Sequence, residues 1–165
     1  MMGVNGEIIK VGMADLNIGK APDSLTTLGL GSCVGIVLYD ASKKIGGLAH
    51  AMLPDSTQIR NNQNKAKFVD TSIQILIDEM INKGANRNNL IAKLAGGAQM
   101  FNFNKSNDLI KIGYRNIMAT KVILKELKIP ILAEDTGENY GRTIVLDCES
   151  GNLLVRTIGK GIKTI

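Results

Sequence analysis

Hydrophobic and polar positions change their period along the chain, near-alternating in the first third, helical in the middle and alternating again at the end. Residues 7–13 alternate loosely and predict a first strand. Residues 26–30 and 34–39 predict two extended segments on either side of a glycine-rich bend. Residues 46–53 continue this β-rich block after a turn-like stretch at 40–44, and Pro54 stops it. The Asn- and Gln-rich residues 55–64 predict a long loop, of the kind that in compact domains is functional or disordered. From Ala66 the period becomes helical: Val69, Ile73, Leu76, Ile77 and Met80 form one apolar stripe, closed by Gly84 at the C′ position. Residues 90–94 predict a strand running into Gly96-Gly97. A second helix is expected from near Asn116, burying Ile117, Leu124 and Leu127 and ending before Pro130. Residues 129–133 predict another strand, and residues 143–148 and 153–158 a terminal hairpin. Strands first, then helices alternating with strands, then a hairpin, predict an α+β layered fold rather than a doubly wound sheet.

Composition sets the scale. The chain has 165 residues, enough to bury roughly 70% of the surface its unfolded form exposes. With no repeat or linker, residues 1–165 are expected to form one domain. Hydrophobic residues make up 44% and aromatics only 4%, with no tryptophan, so the core must be aliphatic. Every apolar run is interrupted before membrane-spanning length, and residues 1–10 lack the pattern of a secretory signal, so a cytoplasmic protein without membrane insertion is expected. The two cysteines, Cys33 and Cys148, are then expected as free thiols. Two thiols and one histidine are too few for an obvious zinc site, and no metal or cofactor is expected. The net charge is +5, but the cations are dispersed and not interleaved with aromatics. That argues against nucleic acid and leaves an acidic protein partner open.

Chemistry concentrates in the first fifty residues. In Thr26-Thr-Leu-Gly-Leu-Gly-Ser-Cys-Val-Gly-Ile36 a cysteine directly follows a glycine-rich bend between apolar strands. Glycine lets the backbone turn tightly and bring N–H groups close to a ligand. Amides of Gly31, Ser32 and Cys33 converging beside the thiol would stabilise the oxyanion formed when a thiolate attacks a carbonyl. A thiol at neutral pH needs a base or a cationic neighbour, and the only histidine is His50. Alternation places Leu48 and His50 on one face of their strand and Ala49 and Ala51 on the other. Its thiol partner is either Cys33, at the bend, or Cys148, in the predicted hairpin; the bend favours Cys33. On residue type alone, a lone cysteine is more often a small buried hydrophobe and a lone histidine a structural residue.

Taken together, these segments resemble the CheD family of chemoreceptor glutamine deamidases. Thr27-Leu-Gly-Leu-Gly-Ser-Cys33 resembles that family's nucleophile motif, and Ala49-His-Ala-Met-Leu-Pro-Asp-Ser56 its histidine motif. Ala95-Gly-Gly-Ala-Gln-Met-Phe101, Ile112-Gly-Tyr-Arg-Asn116 and Ala133-Glu-Asp-Thr-Gly137 resemble further blocks in the same order. Glu138 departs from the pattern, where glycine is common. The resemblance implies a Cys–His–Thr catalytic set, here Cys33, His50 and Thr27. It also implies an α/β/β/α-like sandwich of two packed sheets with helices on the outer faces. Chemoreceptor cytoplasmic helices are the implied substrate, and a CheC-type phosphatase the implied partner. Met100 and Phe101 are the candidate partner-facing residues, with a strand-ending turn at Gly96-Gly97 the plainer role for their segment. Arg115 and Asn116 are read as caps of the second helix, residues 134–136 as an Asx-type turn in preference to a cleft lining, and the 55–64 loop as a solvated segment placed to gate the site. A cysteine hydrolase of small amides would be told apart by activity on free glutamine.

Overall fold

A computed structural model describes residues 6–100 and 111–165. Ten strands are present among these residues: β1 (Ile8–Lys10), β2 (Asp15–Lys20), β3 (Ser24–Leu30), β4 (Val34–Asp40), β5 (Ile45–Ala51), β6 (Ile91–Gly96), β7 (Ile131–Thr136), β8 (Arg142–Asp147), β9 (Leu153–Thr157) and β10 (Gly161–Thr164). Two helices accompany them, α1 (Val69–Asn82) and α2 (Ile112–Glu126). The strands form two five-stranded sheets, ordered β1-β3-β8-β9-β10 and β2-β5-β4-β6-β7. Both sheets are mixed: β1 runs parallel to β3 and β6 parallel to β7, and the other pairings are antiparallel. Two packed sheets with helices outside them is the α+β sandwich expected, and both described helices cover the second sheet.

Side-chain alternation builds the layers. In β4 and β5 every residue is buried, because one face meets the helices and the other meets the first sheet. Ile36, Leu38, Ala49 and Ala51 face the helices, packed with Ile73, Leu76 and Ile77 of α1 and Ile117 and Leu124 of α2. Val37, Leu48 and Cys33 face the first sheet, among Leu25, Leu30, Ile144 and Leu146. Burying each large aliphatic side chain contributes about 1.5–3 kcal/mol, so the two interfaces hold the sandwich without aromatic bulk. Helix α1 ends at a C-cap on Lys83, followed by Gly84 at positive φ, as its sequence predicts.

Several elements differ from the sequence reading. Strand β2 carries alternating Leu16 and Ile18 and forms one edge of the second sheet, but two apolar residues within a six-residue strand are a weak signal. Strand β10 is an edge strand exposed at every position, with a single apolar residue, Ile162. Helix α2 starts at Ile112, four residues before the expected Asn116, so Arg115 and Asn116 are not its caps. Residues 134–136 belong to β7 rather than to an Asx turn: Asp135 pairs with the buried Arg142, seven residues on, at 3.0 Å, a contact that holds β7 to β8.

Candidate active site

The chain crosses from the first sheet to the second at residues 31–33, between β3 and β4. Just before the crossing, the β3–β8 register shifts between Thr27 and Leu30, and Gly29 takes φ +68. This bulge re-aims the chain and leaves Leu28 67% exposed. Each carbonyl of the crossing is tied down. Gly31 O accepts from the Ala98 N–H at 2.8 Å and Cys33 O from the Gly97 N–H at 2.8 Å. Ser32 O accepts from Asn116 Nδ2 at 3.0 Å. The Gly31 N–H donates to Gly29 O at 3.0 Å. Among the described residues the Ser32 N–H has no hydrogen-bond partner, and the Cys33 N–H meets only its own residue's sulfur.

His50 lies in β5, paired with Gly35 of β4 on one side and with Asp15 of β2 on the other. Cross-strand partners share a face, so His50, Gly35 and the inter-sheet residues Cys33 and Leu48 all face the first sheet. Cys33 stands two positions before Gly35, which makes it a diagonal neighbour of His50 on the same sheet face. The space over Gly35 itself is filled from the first sheet, where a Cβ would lie 2.8 Å from Ile144 Cδ1 and 2.9 Å from Leu30 Cδ1. Across the sheets, Thr27 Oγ1 lies 2.7 Å from His50 Nδ1 and 2.7 Å from Val11 O.

Those two contacts define the imidazole's protonation pattern. Val11 O can only accept, so the Thr27 hydroxyl gives it its single proton. Thr27 must therefore accept from His50, which places the ring proton on Nδ1. Nε2 of the neutral ring then carries a lone pair, and it is buried with no hydrogen-bond partner among the described residues. An unpaired buried acceptor costs about 1–3 kcal/mol, and it is the atom a general base uses.

Burial acts on both reactive groups. It pushes the Cys33 thiol up from its ordinary value, offset in part by the residue's own backbone N–H. It pulls His50 below the ordinary imidazole range. Both groups are thereby biased to their neutral forms, thiol and imidazole, an acid and a base at rest. Cys148 is different: fully buried beside Gly46 in the inter-sheet core, it is pushed up to about 12, chiefly by burial. Both cysteines are free.

The remaining sequence candidates fall around this centre. Met100 is 45% exposed and leans on the crossing, since a Cβ on Gly31 would sit 3.2 Å from Met100 Cγ. Phe101 lies outside the described residues. Met100 and Leu28 border a groove of about 480 Å³ that also reaches Tyr140, Arg156 and Ile158. A smaller groove of about 300 Å³ lies on the other side of Leu28, over Val11, Met13 and Thr27. Gly96 and Gly97, both at positive φ, end β6 in the expected turn. Glu138 adopts φ +59, a conformation that glycine takes more readily. Residues 55–64 are anchored, with Ser56 bonded to Asp70 of α1 through N–H and hydroxyl and Asn64 Nδ2 donating to Ala14 O. Sequence reasoning assigned no site role to Asn116, whose side chain reaches both Ser32 O and Met52 O.

Fold and site together define a two-sheet α+β protein with an imidazole–hydroxyl pair where its sheets meet and a thiol on the same inter-sheet face. Similar architecture occurs in the crystal structure of a Neisseria meningitidis DUF152 protein, with a TM-score of 0.51 at 10% identity, covering 81% of this chain and 65% of that one. The model of the CheD family, described as CheD chemotactic sensory transduction, matches residues 52–157. Relatives named probable chemoreceptor glutamine deamidase CheD match almost end to end. The one from Lachnoclostridium phytofermentans is 60% identical, covering 97% of this chain and 99% of its own. The one from Caldanaerobacter subterraneus subsp. tengcongensis is 59% identical, covering 98% and 100%. The chain belongs to the CheD family. No helix among the described residues is long and apolar enough to cross a membrane.

Proposed function

We propose that this chain is a protein-glutamine deamidase acting on the cytoplasmic helices of chemoreceptors, with Cys33 as nucleophile, His50 as general base and Thr27 orienting His50. The observation that carries the reading is the Thr27 hydroxyl between Val11 O and His50 Nδ1, which leaves Nε2 bare and basic. Chemistry follows from that arrangement. Nε2 takes the Cys33 proton as sulfur attacks the glutamine δ-carbon, and the carbonyl π pair moves onto oxygen. The N–H groups of Ser32 and Cys33 meet this oxyanion; Gly31 contributes chiefly by holding the bend, because its own N–H is engaged. Collapse breaks the C–N bond, the His50 imidazolium protonates the departing ammonia, and a thioester remains on Cys33. Water, deprotonated by His50, then hydrolyses the thioester to glutamate and restores the thiol.

The substrate helix is proposed to lie across Leu28, between the two grooves. Exposed Met13, Leu28 and Met100 supply apolar contact, and Lys10 and Arg156 supply positive charge for an acidic amphipathic helix. Exposed apolar side chains grouped around one cleft are the usual mark of such a surface. The same rim serves as the proposed dock for a CheC-type phosphatase, favoured by the exposed Met100 directly over the nucleophile bend.

Mass spectrometry tests the reading. Incubation with receptor cytoplasmic fragments is expected to raise glutamine-containing peptides by about one dalton per site, an amide becoming an acid. Cys33→Ala should abolish the shift and Cys148→Ala should keep it. Shifts that persist in Cys33→Ala overturn the reading.

A further inference from the structure

Asn116 sits on the inner face of α2, fully buried, in the second turn from the helix start. Its side-chain amide donates to two carbonyls, Ser32 O at 3.0 Å and Met52 O at 2.9 Å. Both partners can only accept, so the orientation of the amide is fixed: Nδ2 faces the two carbonyls and Oδ1 faces away, buried with no partner among the described residues. Ser32 immediately precedes Cys33, and Met52 lies two residues beyond His50. One side chain from a helix therefore ties the segment carrying the thiol to the strand carrying the imidazole. A purely structural amide would be expected to satisfy its oxygen as well, since an orphan acceptor in the interior is costly.

A second contact strengthens the tie. Gly113, one turn earlier in α2, packs so closely that a Cβ there would lie 2.3 Å from Ala98 O and 2.6 Å from Gly97 O. Residues 97 and 98 in turn hold Cys33 O and Gly31 O through their N–H groups. Helix α2 thus fixes three successive carbonyls of the bend, one directly and two through the 97–98 turn. With those carbonyls directed away, the peptide planes that present the Ser32 and Cys33 N–H groups are fixed as well.

We propose that Asn116 is a positioning residue for the deamidation reaction, holding the nucleophile bend in register with the base-bearing strand. The proposal rests on the assignment of Cys33 and His50 given above. Misplacing a reacting group by about 1 Å costs on the order of a hundredfold in rate, so the tie acts on the chemical step and not on substrate docking.

The test compares Asn116→Leu, which fills the space but donates nothing, and Asn116→Ala with wild type and Cys33→Ala. Steady-state deamidation of a receptor fragment is measured well below each variant's melting temperature, with the folded fraction determined by circular dichroism. A drop in kcat of about 10- to 100-fold per folded molecule is expected for Asn116→Leu, with KM changed by less than about threefold. The pH profile of Cys33 alkylation by iodoacetamide should also shift in Asn116→Leu, because the thiol has lost its alignment with the imidazole. Wild-type kcat per folded molecule in both Asn116 variants would overturn the proposal, as would a loss confined to KM. Should Asn116→Leu fail to fold, Asn116→Ala and Asn116→Ser, which remove bulk without adding apolar branches, carry the same comparison. Cys33→Ala that retained activity would instead overturn the underlying assignment, whatever the Asn116 variants do.

Discussion

Replacing Thr27 by valine keeps the shape of a buried β-branched residue and removes one oxygen. Two groups lose their partner at once, Val11 O and His50 Nδ1–H, both held at 2.7 Å in the native site. Each buried group left unpaired costs about 1–3 kcal/mol, so a stability loss of about 2–4 kcal/mol is expected after partial relaxation. The rate effect is separable from the stability effect. In the proposed reaction His50 becomes an imidazolium, and a hydrogen bond from a charged donor is worth about 1.5–3 kcal/mol. That bond to Thr27 strengthens as the charge develops, so its loss falls on kcat, by about 10- to 150-fold at 1.36 kcal/mol per decade. Thr27→Ser keeps the oxygen and removes one buried methyl, at about 0.5–1.5 kcal/mol of stability, and should retain kcat within about threefold. The assay is deamidation of a receptor fragment by peptide mass, normalised to folded protein. A Thr27→Val enzyme that is folded and within threefold of wild type would refute the role of the hydroxyl. So would a Thr27→Ser enzyme as impaired as Thr27→Val.

Three further outcomes follow from the same geometry. Because burial lowers the His50 pKa from 6.5, kcat/KM should hold as pH falls below 6.5 and its acid limb should have a midpoint beneath that value; a midpoint at or above 6.5 contradicts a buried neutral base. In Gly113→Ala the new methyl meets the carbonyls of residues 97 and 98, so α2 must shift; a stability loss of about 1–3 kcal/mol and a lower kcat are expected by chemical denaturation and deamidation assay. Cys148 keeps its proton when folded up to about pH 12, while the unfolded thiol ionises near 9.0. Its contribution to stability is therefore complete below pH 9 and declines by about 1.4 kcal/mol per pH unit above it; urea titrations at pH 8 and 10 should show a loss that Cys148→Ala lacks.

The reactive pair has a feature that neither group shows alone. Burial raises the thiol and lowers the imidazole, so a single physical cause drives both toward neutrality. A permanently ionised pair would attract a proton or an electrophile at any time. In the proposed reaction the neutral pair becomes nucleophilic when substrate fills the crossing and its carbonyl engages the Ser32 and Cys33 N–H groups. Substrate binding, on this argument, is what makes the proton transfer favourable, and a small amide lacking contacts along Leu28 should react poorly.

How much of this was readable in the sequence depended on the range of the interaction. The helical stripe from Val69 to Met80 and the terminal hairpin were legible because apolar period is a local property. So was the split of Leu48 and His50 from Ala49 and Ala51, which the two cores reproduce. Glycines around residue 33 marked the crossing, since a corner between sheets demands them. Thr27 came only with the family resemblance: nothing in its neighbourhood announces a hydroxyl whose partners lie in β5 and near β1, reached only when the sheets stack. Asn116 was less legible still. In sequence it looks like a cap because Gly113 makes the preceding turn a poor helix. The glycine is there for contact with residues 97 and 98, and the helix forms because tertiary packing outweighs the propensity. What hid the start of α2 is thus also what brings Asn116 to the site: a helix pressed close enough that an amide in its second turn reaches both the carbonyl before Cys33 and the strand beyond His50.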